Sequence, residues 1–226
     1  MAEFIFMLTR HDATVPDALA VYDENRSLPI KYIGFKDIGQ PTHVLRQLTE
    51  SMHADGREVM LEVVSERVED EVRSIAAARE IGVDWVLGGT NPGDALPLLE
   101  GSGLRYCPFP GVVVGHPSIL TGTIEEIAES ARSLTARAGV HGLDLLAYRH
   151  AGDVEQLVSA VVEASAGPVI AAGSVDSLER IEMLNRRGAW AFTVGSAIFE
   201  NQFPTSPTVR DQVAWVLAAA GGGQPA

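Results

Sequence analysis

A chain of 226 residues with 46% hydrophobic residues can bury one large core, and a formal net charge of −13 leaves no basic footprint for a nucleic-acid partner. The single cysteine, Cys107, cannot close an internal disulfide, and no Cys/His cluster at zinc-ligand spacing accompanies it, so a reducing compartment is expected and neither a metal nor another cofactor is. The opening MAEFIFMLTRHD is apolar for too few residues to be a signal peptide or a membrane span, which predicts a cytoplasmic protein without membrane contact.

Along the chain, short runs rich in Val, Ile, Leu and Phe alternate with amphipathic segments. Strands are predicted at Phe4–Thr9, Tyr32–Lys36, Val59–Val64, Trp85–Gly89, Arg105–Cys107, Gly142–Ala147, Val169–Ala172 and Ala191–Gly195. Between them the 3.6-residue period predicts helices over Pro16–Glu24, Thr42–Ala54, Val68–Ile81, Asp94–Glu100, Ile124–Ala138, Asp153–Ala166 and Ser177–Arg187, with a last helix after Pro207. Strict alternation implies a parallel sheet covered by helices. Three helix-to-strand junctions, at Gly82, Gly139 and Gly188, place a glycine where a helix end needs a left-handed residue. Such a unit, repeated eight times in a chain of this length, predicts an α/β fold of one domain spanning residues 1–226, a single (β/α)8 TIM barrel. An open dinucleotide-binding sheet lacks its glycine fingerprint, because Thr9-Arg10-His11-Asp12 follows the first strand.

The stretch from Gly167 to Glu200 carries the clearest chemistry. Two adjacent strands finish in Gly173-Ser174 and Gly195-Ser196, small residues with accessible amides, and the second opens a helix. That arrangement suits a phosphate, so the expected partner is a phosphorylated small molecule.

The segments Ala171-Ala172-Gly173-Ser174-Val175 and Thr193-Val194-Gly195-Ser196-Ala197-Ile198 resemble the ribulose-phosphate-binding (β/α)8 barrel superfamily, including the isomerase and cyclase barrels of histidine biosynthesis. The resemblance covers about the last third of the chain and implies that Gly173, Ser174, Gly195 and Ser196 hold the substrate phosphate. Elsewhere the sequence departs from that superfamily's patterns. The fifth strand has no aspartate of the histidine-pathway isomerases, strands two, three and seven lack the His/Asp pairs of metal-dependent epimerases, and the sixth has no Schiff-base lysine of the sugar-acid aldolases.

Strand parity supplies the remaining candidates. An ionisable residue within an apolar barrel strand points to the axis, which directs Lys36 and Glu62 inward from neighbouring strands. An amine beside a carboxylate at a dry barrel mouth can move a proton next to a carbonyl without a metal, giving a sugar-phosphate or sugar-acid isomerase or epimerase. Alternatively Lys36 forms an imine as in a Schiff-base aldolase, with Glu62 or Tyr148 shuttling the proton, or the pair is a structural ion pair in a non-catalytic phosphometabolite-binding barrel. At the same rim, Asp12 is a further proton-exchange candidate, and Thr9, Arg10, Thr90, Asn91 and His116 are candidate substrate contacts. By parity Tyr148 faces inward with Asp144 and Arg149 faces outward. The long loop from Gly111 to Gly122 reads as a lid, Trp85, Trp190 and Trp215 as packing beneath helices, and exposed barrel helices leave a homo-oligomer open.

Overall fold

A computed structural model describes residues 1–65, 67–115 and 117–223. Eight parallel strands form the sheet: β1 (Glu3–Met7), β2 (Tyr32–Lys36), β3 (Glu58–Val63), β4 (Trp85–Gly88), β5 (Arg105–Cys107), β6 (Leu143–Leu145), β7 (Val169–Ala171) and β8 (Ala191–Val194). Their order is β6-β7-β8-β1-β2-β3-β4-β5, with β8 beside β1. At the remaining seam, His141 N–H donates to the Tyr106 carbonyl at 2.8 Å and Asp144 N–H to the Pro108 carbonyl at 3.1 Å. Those bonds bring β5 and β6 together and close the ring, as the alternation predicts.

The helices are α1 (Ala18–Asn25), α2 (Thr42–Ala54), α3 (Val68–Ile81), α4 (Pro92–Leu99), α5 (Ile124–Thr135), α6 (Val154–Ala164), α7 (Leu178–Arg186), a single turn α8 (Ser196–Phe199) and α9 (Val209–Ala220). Local chemistry fixes their ends. Thr123 and Glu126 cap α5 reciprocally, and Gly82 stops α3 at φ 85, a backbone that an L side chain resists.

The pleat divides the core in two. Phe4 and Phe6 face the helices, while Ile5 and Met7 face the axis with Met60, Leu87, Cys107 and Ile170. Trp85 and Trp190 belong to the second group, which corrects their expected place beneath helices. Their rings stack at 5.3 Å, Tyr32 meets Trp190 edge-on, and together they plug the N-terminal end of the barrel. Trp85 shares the strand parity of the axial Leu87, and Trp190, just ahead of β8, is placed by its contacts with Trp85 and Tyr32. Trp215 does pack beneath its helix, stacked on Phe203.

Two antiparallel hairpins interrupt the plain β/α repeat. Thr9–Arg10 pairs with Ala13–Thr14 just after β1. The predicted lid forms the second, Val112–Val114 against Ile119–Thr121, and its far strand is tied to the segment after β6 by a bridge between Leu120 and His150.

Candidate active site

With the N-terminal end plugged by aromatics, the axial side chains of the C-terminal half define the chemistry. Lys36 and Glu62 are partners in the β2–β3 register, and Lys36 Nζ lies 3.7 Å from Glu62 Oε2. Both are sealed from water, Lys36 at 3% and Glu62 at 8% exposure. The same ammonium lies 2.7 Å from Asp12 Oδ1, a carboxylate delivered by the hairpin after β1. Arg149 approaches that oxygen from the opposite side, Nη2 at 3.5 Å.

Arg149 therefore faces the site and Tyr148 does not, the reverse of the parity expectation. The chain leaves extended geometry after Leu145 and makes a turn of 3-10 helix over Ala147–Arg149, so the two-residue alternation no longer holds. Tyr148 instead donates to the Arg180 carbonyl at 3.2 Å with the Arg180 guanidinium over its ring, and burial pushes its hydroxyl up to about 12. Arg149 joins three loops. Besides Asp12, its Nη1 donates to the Ser118 carbonyl of the lid hairpin at 3.3 Å, and its Nε lies 2.8 Å from where a side chain on Gly173 would begin.

Gly173, Gly195 and Ser196 line one small cavity with Asp12, Lys36, Glu62 and Arg149, of about 60 Å³. Gly195 is required by a close approach: a Cβ there would fall 2.6 Å from Thr9 Oγ1 and 2.8 Å from the Thr9 carbonyl oxygen. Thr9 thus lines the cavity by bracing the β8 loop. Ser174 turns at φ 59 with its carbonyl held by Arg180, and its side chain lies outside the cavity lining. Ser196 Oγ accepts from His11 N–H at 3.3 Å.

Other candidates fall elsewhere. Arg10 points to Glu200 at 3.8 Å, outside the cavity. Thr90 and Asn91 are folded back onto Glu71, a fully buried carboxylate of α3 that accepts from Thr90 N–H, Asn91 N–H and Asn91 Nδ2 between 2.8 and 3.1 Å. Thr90 borders a separate cleft shared with Phe109, Val113 and Ser118 of the lid side. His116 lies outside the described residues.

One residue has a larger part than the sequence assigns it. Asp144, inward on β6, is 0% exposed, and neither carboxylate oxygen has a hydrogen-bond partner among the described residues. Burial, reinforced by the negative charge of Glu62 and opposed by Lys36 and Arg149, raises its carboxyl well above the ordinary range. Its parity was readable in the sequence; its lack of a hydrogen-bond partner among the described residues is a product of the closed ring. Cys107, adjacent on the axis, is fully buried and burial pushes its thiol up, so it is an inert core residue.

No helix among the described residues is long and apolar enough to cross a membrane. No family model and no curated protein matches the chain. Solved structures do resemble it. Orotidine 5'-phosphate decarboxylase of Pyrococcus horikoshii aligns over 97% of this chain and 99% of that one, with a TM-score of 0.69 at 14% identity. The native KDPGal structure aligns over 97% of this chain and 92% of that one, with a TM-score of 0.65 at 16% identity. A glycerol uptake operon antiterminator regulatory protein of Listeria monocytogenes aligns over 86% and 91%, with a TM-score of 0.59 at 16% identity. In its fold, the chain is a single closed (β/α)8 barrel.

Proposed function

We propose that the protein is an enzyme that binds a phosphorylated sugar or sugar acid and moves a proton at the carbon beside its carbonyl, as an isomerase or epimerase. One observation carries this reading: a buried Lys36–Glu62 pair, 3.7 Å apart, opens into the cavity that Gly173, Gly195 and Ser196 also line. The phosphate would be held at the β7 and β8 loops, which fixes the carbon chain across the barrel mouth. Glu62 then accepts the proton from the carbon next to the carbonyl. The C–H electron pair becomes the new C=C bond, and the carbonyl electrons move to oxygen, where a Lys36 N–H donates to the developing enolate. Return of the proton to the former carbonyl carbon, as the adjacent hydroxyl gives up its proton to become the new carbonyl and the first oxygen takes one up, gives the isomer, and protonation of the original carbon from the opposite face by a second acid gives the epimer.

Imine formation is the second reading, a Schiff-base aldolase: Lys36 would pass a proton to Asp12 or Glu62, 2.7 and 3.7 Å from its nitrogen, and attack the carbonyl as the free amine. The two readings separate in one experiment. A panel of ketose, aldose and sugar-acid phosphates is incubated with the protein in heavy water and followed by proton NMR, then treated with borohydride. Loss of a C–H signal to deuterium without inactivation supports proton transfer. Borohydride inactivation with substrate mass added at Lys36 replaces it with imine chemistry, and exchange into none of the substrates overturns it.

A further inference from the structure

The hairpin over the barrel mouth turns through only two residues, His11 and Asp12, both left-handed at φ 50 and 59. Neither is glycine, so the turn adopts a backbone its residues resist and is held by what it touches. His11 lies 3.7 Å from Glu200 and its N–H donates to Ser196; Asp12 enters the cavity and meets Lys36 and Arg149.

A cavity of about 60 Å³ is far below the ~300 Å³ of the smaller pockets that hold metabolites. Under the proposed function a phosphorylated substrate must fit here, and the hairpin is a part of the wall outside the barrel strands. Withdrawal of Asp12 would take a counter-charge from the buried Lys36 ammonium and from the half-buried Arg149 guanidinium at once. An enclosed cation without a counter-charge is expensive, so whatever displaces Asp12 has to bring an anion to the same point.

We propose that Asp12 occupies the position of a substrate carboxylate, and that the ligand is a phosphorylated carboxylic acid with its phosphate at Gly173 and Ser196 and its carboxylate between Lys36 and Arg149. This rests on the phosphate-site reading above and narrows it. A sugar phosphate lacking an acid group offers the two cations neutral acceptors but no counter-charge in place of Asp12. The guanidinium fork suits a planar carboxylate, and the ammonium beside it reaches both that carboxylate and an adjoining carbonyl oxygen.

Calorimetric titration of the full chain with three probes tests the assignment: 3-phosphoglycerate, glycerol 3-phosphate, which differs from it by a hydroxymethyl in place of the carboxylate, and inorganic phosphate. The expected result is that 3-phosphoglycerate binds about tenfold more tightly than glycerol 3-phosphate, the worth of one charge-assisted contact. Asp12→Asn, which keeps a residue tolerant of the left-handed turn, tightens 3-phosphoglycerate further by removing its internal competitor. Arg149→Gln brings the two organic probes together while inorganic phosphate still binds. Equal affinity for the two organic probes in the native protein overturns the carboxylate assignment and leaves the phosphate site standing, as does weaker binding of 3-phosphoglycerate to Asp12→Asn. Failure of all three probes to bind overturns the phosphate site and this inference with it.

Discussion

Lys36 and Glu62 stand opposite one another on adjacent strands, and the pair is closed off from water on the barrel axis. Removing one partner of such a pair is costlier than the pair is worth, because the charge left behind keeps its desolvation penalty. Lys36→Met takes the ammonium away from Glu62 while Asp12 keeps Arg149, and is expected to destabilise the fold by about 3 kcal/mol, read from urea unfolding at neutral pH. Glu62→Gln preserves shape and hydrogen-bonding capacity, so its folding stability should change less. Its turnover should fall by about a hundredfold or more if Glu62 is the base. A Glu62→Gln variant with native turnover would remove this carboxylate from the chemistry.

Asp144 makes a prediction with a definite sign. Its carboxyl is raised in the folded chain above the ordinary 3.8 of the unfolded one, chiefly by burial. Between those two values the folded state binds the proton that the unfolded state has released. Stability from this group is complete below the unfolded value and declines by about 1.4 kcal/mol per pH unit as pH rises toward the folded value. Asp144→Asn removes the decline. Unfolding midpoints for the native chain and Asp144→Asn should therefore diverge from about pH 4 upward, the variant being the more stable at neutral pH. A variant that is less stable at neutral pH would mean that Asp144 is ionised and paired.

The barrel was legible because eight apolar runs alternate with 3.6-period segments and each run is short enough to be a strand. The Lys36–Glu62 pairing was legible for the same reason: both sit inside strands, where a period of two assigns a face. Tyr148 and Arg149 were misassigned where that period stops, since the sequence Leu145-Leu146-Ala147 gives no sign of a turn of 3-10 helix. Asp12 could be placed near the mouth but not in it, because its reach depends on a two-residue turn with two left-handed residues that are not glycine. Trp85 was misread by weight of residue type over parity, since it shares the face of Leu87 in the same strand, and Trp190 lies just before β8, where parity assigns no face.

Tyr148 provides a control. Its hydroxyl bonds the Arg180 carbonyl of α7, away from the cavity. Tyr148→Phe should cost about 1 kcal/mol of stability, that of one hydrogen bond, and leave turnover and its pH dependence unchanged. Loss of turnover without loss of stability in Tyr148→Phe would return this residue to the site.

The glycines test whether the β8 loop is a phosphate cradle or an ordinary turn. At Gly195 a methyl group would press against the Thr9 carbonyl at 2.8 Å and Met7 Cβ at 3.2 Å, atoms of the β1 end that cannot rotate away. Gly195→Ala must push the loop outward, at an expected cost of about 1–3 kcal/mol. At Gly173 the obstacle is the Arg149 side chain, which can yield, although φ 74 still disfavours alanine. Gly93 in α4 has nothing within 4 Å, so Gly93→Ala should be harmless or slightly stabilising. Thermal midpoints with and without inorganic phosphate separate the effects: a bound anion raises the midpoint of the native chain and of Gly93→Ala by the same amount. In Gly195→Ala the rise should shrink or vanish, because moving the loop carries the amide of Ser196 away from the cavity it shares with Lys36. An undiminished rise in Gly195→Ala would place any bound phosphate elsewhere on the molecule.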